Sequence, residues 1–223
     1  MQQKPGKSAG RKRKIHAPSA HQVRIIGGQW KRTPLAVPDA EGLRPTPDRV
    51  RETVFNWLNH LLNGAWDRVA CLDLFAGTGA LGFEAASRGA ARVVMVEANP
   101  AAVRLLQATQ DKLHALQVSI LRGDAGAIAL GMLDGLGDLR LDEKRFQVIF
   151  LDPPYHQDWL VKLLPTCARL LAEDGFLYAE AEQAFDDNFP QEWMNEWQVI
   201  KADKAGKVFY HLLQRKRSLK FQA

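Results

Sequence analysis

Nine segments after residue 68 alternate in kind, and that alternation restricts the possible folds more than any other feature of the chain. Apolar runs at Val69–Leu74, Arg92–Val96, Val118–Leu121, Phe146–Leu151 and Phe176–Ala181 are separated by helical periodicity at Leu81–Arg88, Pro100–Leu113, Ala125–Leu133 and Trp159–Leu171. Strand and helix in strict turn require a parallel sheet, since a crossover helix is what brings the chain back to the same end of the sheet. Two closing runs, Gln198–Lys201 and Val208–Leu213, flank Asp203-Lys204-Ala205-Gly206-Lys207, which reads as a hairpin turn. The expectation is an α/β, Rossmann-like, mostly parallel seven-stranded sheet with an antiparallel strand at the C-terminal edge.

The first strand runs into Asp73-Leu74-Phe75-Ala76-Gly77-Thr78-Gly79-Ala80-Leu81-Gly82. Gly77, Gly79 and Gly82 fit G-x-G-x-x-G, and Glu97 follows at the end of the next strand, as in a dinucleotide site. A lone glycine pattern is weak, so the ligand has to be argued from charge. Asp73, Glu97, Asp124 and Asp152 stand at the carboxyl ends of four successive strands, the ends that line the ligand crevice of an open α/β sheet. The first glycine turn carries no lysine or arginine. Four acids without a counter-cation repel a pyrophosphate, whereas a sulfonium and an ammonium on an adenosine ligand suit them. S-adenosylmethionine fits this pattern better than NAD. The competing reading of these acids, as helix caps or solvated loop residues, requires four coincidences.

The fourth strand ends in Phe150-Leu151-Asp152-Pro153-Pro154-Tyr155. Two prolines fix two φ angles and remove two donors, so the turn after Asp152 is stiff. The Asp152 carboxylate and the Pro153 carbonyl become two acceptors near one point, with Tyr155 as a flat wall. That arrangement suits a planar molecule bearing an exocyclic NH2. A strand end with a proline turn and a core tyrosine is the plainer alternative. By itself the turn does not choose among guanine N2, adenine N6, cytosine N4 or a protein amide.

The motifs from Asp73 to Gly82, Glu97, Asp124 and Asp152 to Tyr155 resemble those of the class I S-adenosylmethionine-dependent methyltransferases. Three segments are similar to the bacterial 16S rRNA (guanine(966)-N(2))-methyltransferase family: Arg24-Ile25-Ile26-Gly27-Gly28, the stretch from Leu43 to Leu58, and the stretch from Asp73 to Ala85. The likeness runs from about Val23 to about Leu213. It implies methyl transfer from S-adenosylmethionine to the N2 of one guanine, with 16S rRNA or the small ribosomal subunit as partner. Asp152, Pro153, Pro154 and Tyr155 are then the catalytic turn. Asp73, Phe75, Ala76, Gly77, Thr78, Gly79, Glu97, Ala98, Asp124 and Ala125 are the cofactor-binding set, with Asp73 near the methionine ammonium, Glu97 at the ribose hydroxyls and Asp124 at the adenine amino group. An amino-methyltransferase of another base, such as adenine N6, and a dinucleotide-dependent oxidoreductase are the alternatives.

Charge is divided unevenly. Residues 1–51 hold 12 Lys+Arg against 3 Asp+Glu, while the remainder carries a net charge of −4. A basic front on an otherwise acidic chain is a footprint of nucleic-acid binding. Arg11, Lys12, Arg13 and Lys14 in the tail, with Arg24, Arg44, Arg49 and Arg51, are the expected phosphate contacts; a solvated tail and solvated helix face are the bland reading. Residues 1–20 are expected to be a disordered basic tail, 21–63 a hairpin-and-helix extension facing RNA, 64–215 the cofactor-binding domain and 216–223 a basic C-terminal tail. Thr46 reads as the N-cap of the helix over Val50 to Leu61, with Pro47 at its first position. Cys71 and Cys167 lack metal-ligand spacing and read as buried thiols in a reducing compartment. With no apolar run near the roughly 20 residues of a membrane span, the chain reads as a cytoplasmic monomer without a metal.

Overall fold

All four residues of β1 (Ala70–Asp73) are buried, as a strand covered by helices on both faces must be. In the computed structural model, which describes residues 23–37, 46–135, 145–155, 157–185 and 192–216, β1 is an interior strand of a seven-stranded sheet. It pairs in parallel with β2 (Arg92–Glu97) and β4 (Phe146–Leu151). β3 (Val118–Arg122) joins β2 in parallel, and β5 (Leu171–Ala181) joins β4 in parallel. β6 (Trp197–Ala205) and β7 (Val208–Arg215) complete the order β3-β2-β1-β4-β5-β7-β6.

The antiparallel strand expected at the C-terminal edge is β7, and it stands second from the edge, antiparallel to both β5 and β6. Apolarity explains the inversion. Tyr210 to Leu213 of β7 are buried, whereas most of β6 is exposed or half-buried, so the more apolar arm takes the interior lane. The turn is shorter than the sequence suggested. Asp203, Lys204 and Ala205 already pair with Tyr210, Phe209 and Val208, leaving Gly206 and Lys207 as the connection. Gly206, at φ 62°, supplies the positive angle that such a two-residue turn demands.

Side chains alternate between two cores, as the period of two in a strand requires. α1 (Asp48–Leu61), α2 (Ala80–Ser87) and α3 (Pro100–Leu113) cover one face through Phe55, Phe83 and Leu106, against Met95, Phe150 and Tyr178. α4 (Ala125–Gly135) and α5 (Trp159–Leu170) cover the other through Ala129, Leu163, Leu164 and Cys167, against Leu72, Val96, Leu151 and Leu177. Both cysteines are free and buried.

Among the described residues 23–37, before α1, the expected hairpin is reduced to one antiparallel bridge, Arg24 to Pro34. It is anchored by Val23, Ile25 and Leu35 in the first core and by a buried carboxylate. Glu84 of α2 accepts hydrogen bonds from the Ile26 and Gly27 amides at 2.6 and 2.8 Å and from Arg88 Nε at 2.8 Å. Gly28 has to be glycine: its φ is +73°, and a Cβ there would lie 1.9 Å from the Ser87 carbonyl oxygen.

Candidate active site

Three strand ends and one helix entry converge on a cluster of acids. Asp73, the last residue of β1, is 1% exposed. Its Oδ2 accepts the Gly82 amide at 3.2 Å, while Oδ1 is buried with no hydrogen-bond partner among the described residues. Burial pushes the Asp73 carboxyl up to about 7 despite the amides donated to it, and the nearby Glu97 charge adds to the rise. An orphaned buried carboxylate oxygen is costly and invites a donor, above all a cationic one.

The glycine turn wraps this point. Gly77 and Gly79 have φ of 52° and 76°, angles open to glycine without strain. Gly79 leads directly into α2, and a Cβ on it would lie 2.6 Å from both Leu106 and Phe83 side-chain carbons. Gly82 permits α2 to pack against Met95 of β2. Glu97, at the end of β2, ties the turn to the next connection, with Oε2 accepting the Gly77 amide at 2.8 Å and Oε1 the Asn99 amide at 2.7 Å. Each oxygen keeps a lone pair for a further donor. Ala76 is buried and donates to Val96 O; Thr78 and Phe75 are half-buried, and Phe75 meets Trp159 edge-on at 5.4 Å. Ala98 is exposed at the rim.

Asp124 follows β3 and caps α4, its Oδ1 accepting the Ala127 amide at 2.9 Å; it is exposed, and Ala125 behind it is buried. The helix-cap reading of this acid is therefore realised, with Oδ2 left over.

Asp152 directly follows β4, with Pro153 buried and Pro154 and Tyr155 exposed. Thr46 was expected to cap α1. Pro47 occupies the cap position without any side-chain hydrogen bond, and the Thr46 hydroxyl donates instead to Asp152 Oδ2 at 3.0 Å. The helix starts one residue later than its sequence suggests, because a proline cap has no amide to satisfy and frees the threonine for the site.

A fifth acid joins the four. Glu180 lies near the end of β5, 4% exposed, and accepts the Tyr178 hydroxyl on Oε1 at 2.7 Å. The β4–β5 register pairs Phe150 with Tyr178 and Leu151 with Ala179, which carries Asp152 alongside Glu180, and their carboxyl groups are in hydrogen-bonding contact. Burial, then the Glu180 charge, raises the Asp152 carboxyl well above the usual range; burial raises Glu180 as well. Glu180 has a sequence signal: it is the one charge in Phe176-Leu177-Tyr178-Ala179-Glu180-Ala181, at the carboxyl end of a core strand.

The arginines divide. Arg24 and Arg49 are exposed, and Arg24 pairs with Asp48 at 3.0 Å. Arg51 does not project toward solvent and is corrected from a phosphate contact to a strut. It is fully buried, bonded to Asp48 Oδ1 at 2.6 Å, Arg24 O at 2.8 Å and Thr46 O at 3.3 Å. A helix-face position facing the first core leaves the guanidinium no route to water, and three acceptors hold it there. Arg11, Lys12, Arg13, Lys14 and Arg44 lie outside the described residues. Among the described residues no group of three His, Cys, Asp or Glu is placed to hold a metal, and no helix is long and apolar enough to cross a membrane.

Residues 23–214 match a family model described as "Conserved hypothetical protein 95". The chain is 37% identical over 198 residues to Ribosomal RNA small subunit methyltransferase D of Escherichia coli (strain K12), covering 87% of this chain and 90% of that protein. The solved structure of yhhF from Escherichia coli superposes with a TM-score of 0.70 at 33% identity, over 88% of this chain and 99% of the other. Precorrin-6y C5,15-methyltransferase from Geobacter metallireducens GS-15 superposes with a TM-score of 0.55 at 17% identity, over 82% and 94%, a likeness of fold alone.

Proposed function

Because the chain belongs to the ribosomal RNA small subunit methyltransferase D family, we propose that it methylates ribosomal RNA, transferring a methyl group from S-adenosylmethionine to the exocyclic N2 of guanine 966 in 16S rRNA. The observation that carries the cofactor is the orphaned Oδ1 of Asp73, a buried acceptor at the strand end that leads into the glycine turn, which an ammonium would satisfy. Gly77, Gly79 and the neighbouring Phe75, Ala76 and Thr78 let the backbone approach closely, Glu97 has lone pairs for ribose hydroxyls, and Asp124 with Ala98 and Ala125 borders the adenine. Bound there, S-adenosylmethionine supplies an electrophilic methyl on a sulfonium.

The residues of the chain do the rest. A guanine N2 is a poor nucleophile because its lone pair is delocalised into the ring. Asp152 and the Pro153 carbonyl accept its two hydrogens and turn the nitrogen's developing lone pair toward the methyl group. Pro153 and Pro154 keep those acceptors from drifting, and positioning of this kind supplies most of the acceleration. Tyr155, 36% exposed at the rim, stacks on the target base, which leaves its own stack to enter. Arg24, Arg49 and the basic residues of the front hold phosphates, with the small ribosomal subunit as the assembled form of the substrate.

Mass spectrometry of nucleosides from 16S rRNA, with and without the purified protein and cofactor, tests this reading. N2-methylguanosine at one site is the expected product; N6-methyladenosine, or no methyl at all, overturns it.

A further inference from the structure

Asp152 is not a solitary acceptor. Its Oδ2 holds the Thr46 hydroxyl at 3.0 Å, and Glu180 lies in contact with it, itself held by the Tyr178 hydroxyl at 2.7 Å. Two carboxyls in contact present four oxygens, yet each hydroxyl has one proton to give. Two like charges side by side on neighbouring strand ends, Glu180 buried and Asp152 half-buried, resist ionising together, so one proton is retained between them. Among the described residues, the other titratable groups felt by the pair are Asp73 on β1, Tyr178 on β5 and, through Tyr178, Tyr210 on β7, none of which supplies a positive charge.

We propose that Asp152 and Glu180 act as a single proton-sharing acid pair of net charge −1, with Glu180 as the positioning residue that orients Asp152 toward the target amine and lets the pair take the proton that the amine loses. This rests on the function proposed above. As the N–C bond forms from the nitrogen lone pair, the S–C electron pair stays on the sulfur. The nitrogen then carries one proton too many. Its N–H bond breaks with the electrons remaining on nitrogen, and the proton passes to Asp152, taking the pair from −1 to neutral. Water receives that proton before the next turnover. A lone carboxylate would be equally able to accept it, but only Thr46 would hold its side chain. The shared proton, Thr46 and Tyr178 together fix both carboxyls.

The pair can be measured without any substrate. In protein labelled with 13C at the carboxyl carbons, Asp152 and Glu180 should titrate together in two separated steps, the second well above the ordinary carboxylate range. Glu180→Gln should abolish the second step and leave Asp152 a single one. Ionisation of both groups within the ordinary carboxylate range would overturn the shared proton. Single-turnover methylation at saturating cofactor tests the role. The wild-type rate should fall above the second step, where two like charges turn Asp152 away, and Glu180→Gln should lose that alkaline fall. Glu180→Ala should slow transfer by about a hundredfold in protein that remains folded, with cofactor affinity preserved. An alkaline fall that persists in Glu180→Gln, or a wild-type rate in folded Glu180→Ala, would overturn the role of Glu180. A pair that titrates as described in a protein that methylates no RNA would sink the proposed function, and with it the role, while leaving the pair itself established.

Discussion

At Asp73 a single buried oxygen links proton and ligand. Burial pushes its carboxyl up to about 7 from an ordinary 3.8, so between those values the folded state holds a proton there that the unfolded chain has lost. The raised value means that this residue's contribution to stability declines as pH rises from about 4 to 7. A bound ammonium reverses the preference and pulls the value back down. Cofactor binding near pH 6 should therefore release about one proton, and affinity should climb about tenfold per pH unit below 7 before levelling. Calorimetry in two buffers of different ionisation enthalpy measures the release; a flat affinity with no proton exchange would remove Asp73 from the ammonium site. Asp152 makes a second test. Asp152→Ala should leave cofactor affinity nearly intact and slow methyl transfer about a hundredfold, because the amine loses one of its two acceptors. Asp152→Asn separates orientation from charge, retaining substantial activity only if orientation alone matters. Four of the five acids were legible from their places at strand ends. Glu180 carried a signal that was passed over, a lone charge at the end of an apolar strand, and Arg51 misled because a helix's first turn usually faces water while this position is fully buried against Asp48, Arg24 O and Thr46 O.

Elements meet here through buried polar anchors as much as through apolar faces. Glu84 of α2 holds the chain before α1 by two amides and shares its charge with Arg88. Glu84→Ala would leave two amides and a partly buried guanidinium without their acceptor, and should cost about 3–5 kcal/mol, the scale of a broken buried pair. Thermal unfolding checks the loss, and protease cleavage between residues 23 and 37 should appear well before global melting. A change under 1 kcal/mol would mean that Val23, Ile25 and Leu35 alone secure the segment. Strand and helix identities followed from periodicity, which reports which face is wet. The order of the last two strands did not follow from periodicity, which is the same in both arms; it follows from the greater apolarity of the arm that lies inside. Thr46 shows the same limit: its pattern fits a cap, and only the approach of Asp152, 106 residues away, decides where its hydroxyl goes.

Across the whole molecule, the separation of charge sets the partner. In the function proposed above, the basic front meets phosphates and the acid-lined crevice meets a cationic cofactor. Replacing Arg11, Lys12, Arg13 and Lys14 by alanine should weaken RNA binding and flatten its dependence on salt by about 0.7–0.9 in logarithmic slope for each phosphate left without its cation, with cofactor affinity unaltered. An unchanged slope measured by filter binding across a salt series would leave those four residues out of the interface.

The interior lane of β7 also bears on the order in which the enzyme becomes able to work. Glu180 and Tyr178 lie on β5, and β7 pairs directly beside them, Tyr210 against Glu180 and Leu212 against Tyr178. Because β7 is the last strand synthesised, β5 remains an open edge on every nascent chain until residue 215 has left the ribosome. The cofactor turn, carried wholly by the first two strands, is complete long before. The strand that carries Glu180 and Tyr178 thus gains its neighbour only when β7 has been made, so the surroundings of the acid pair are completed later in synthesis than the glycine turn.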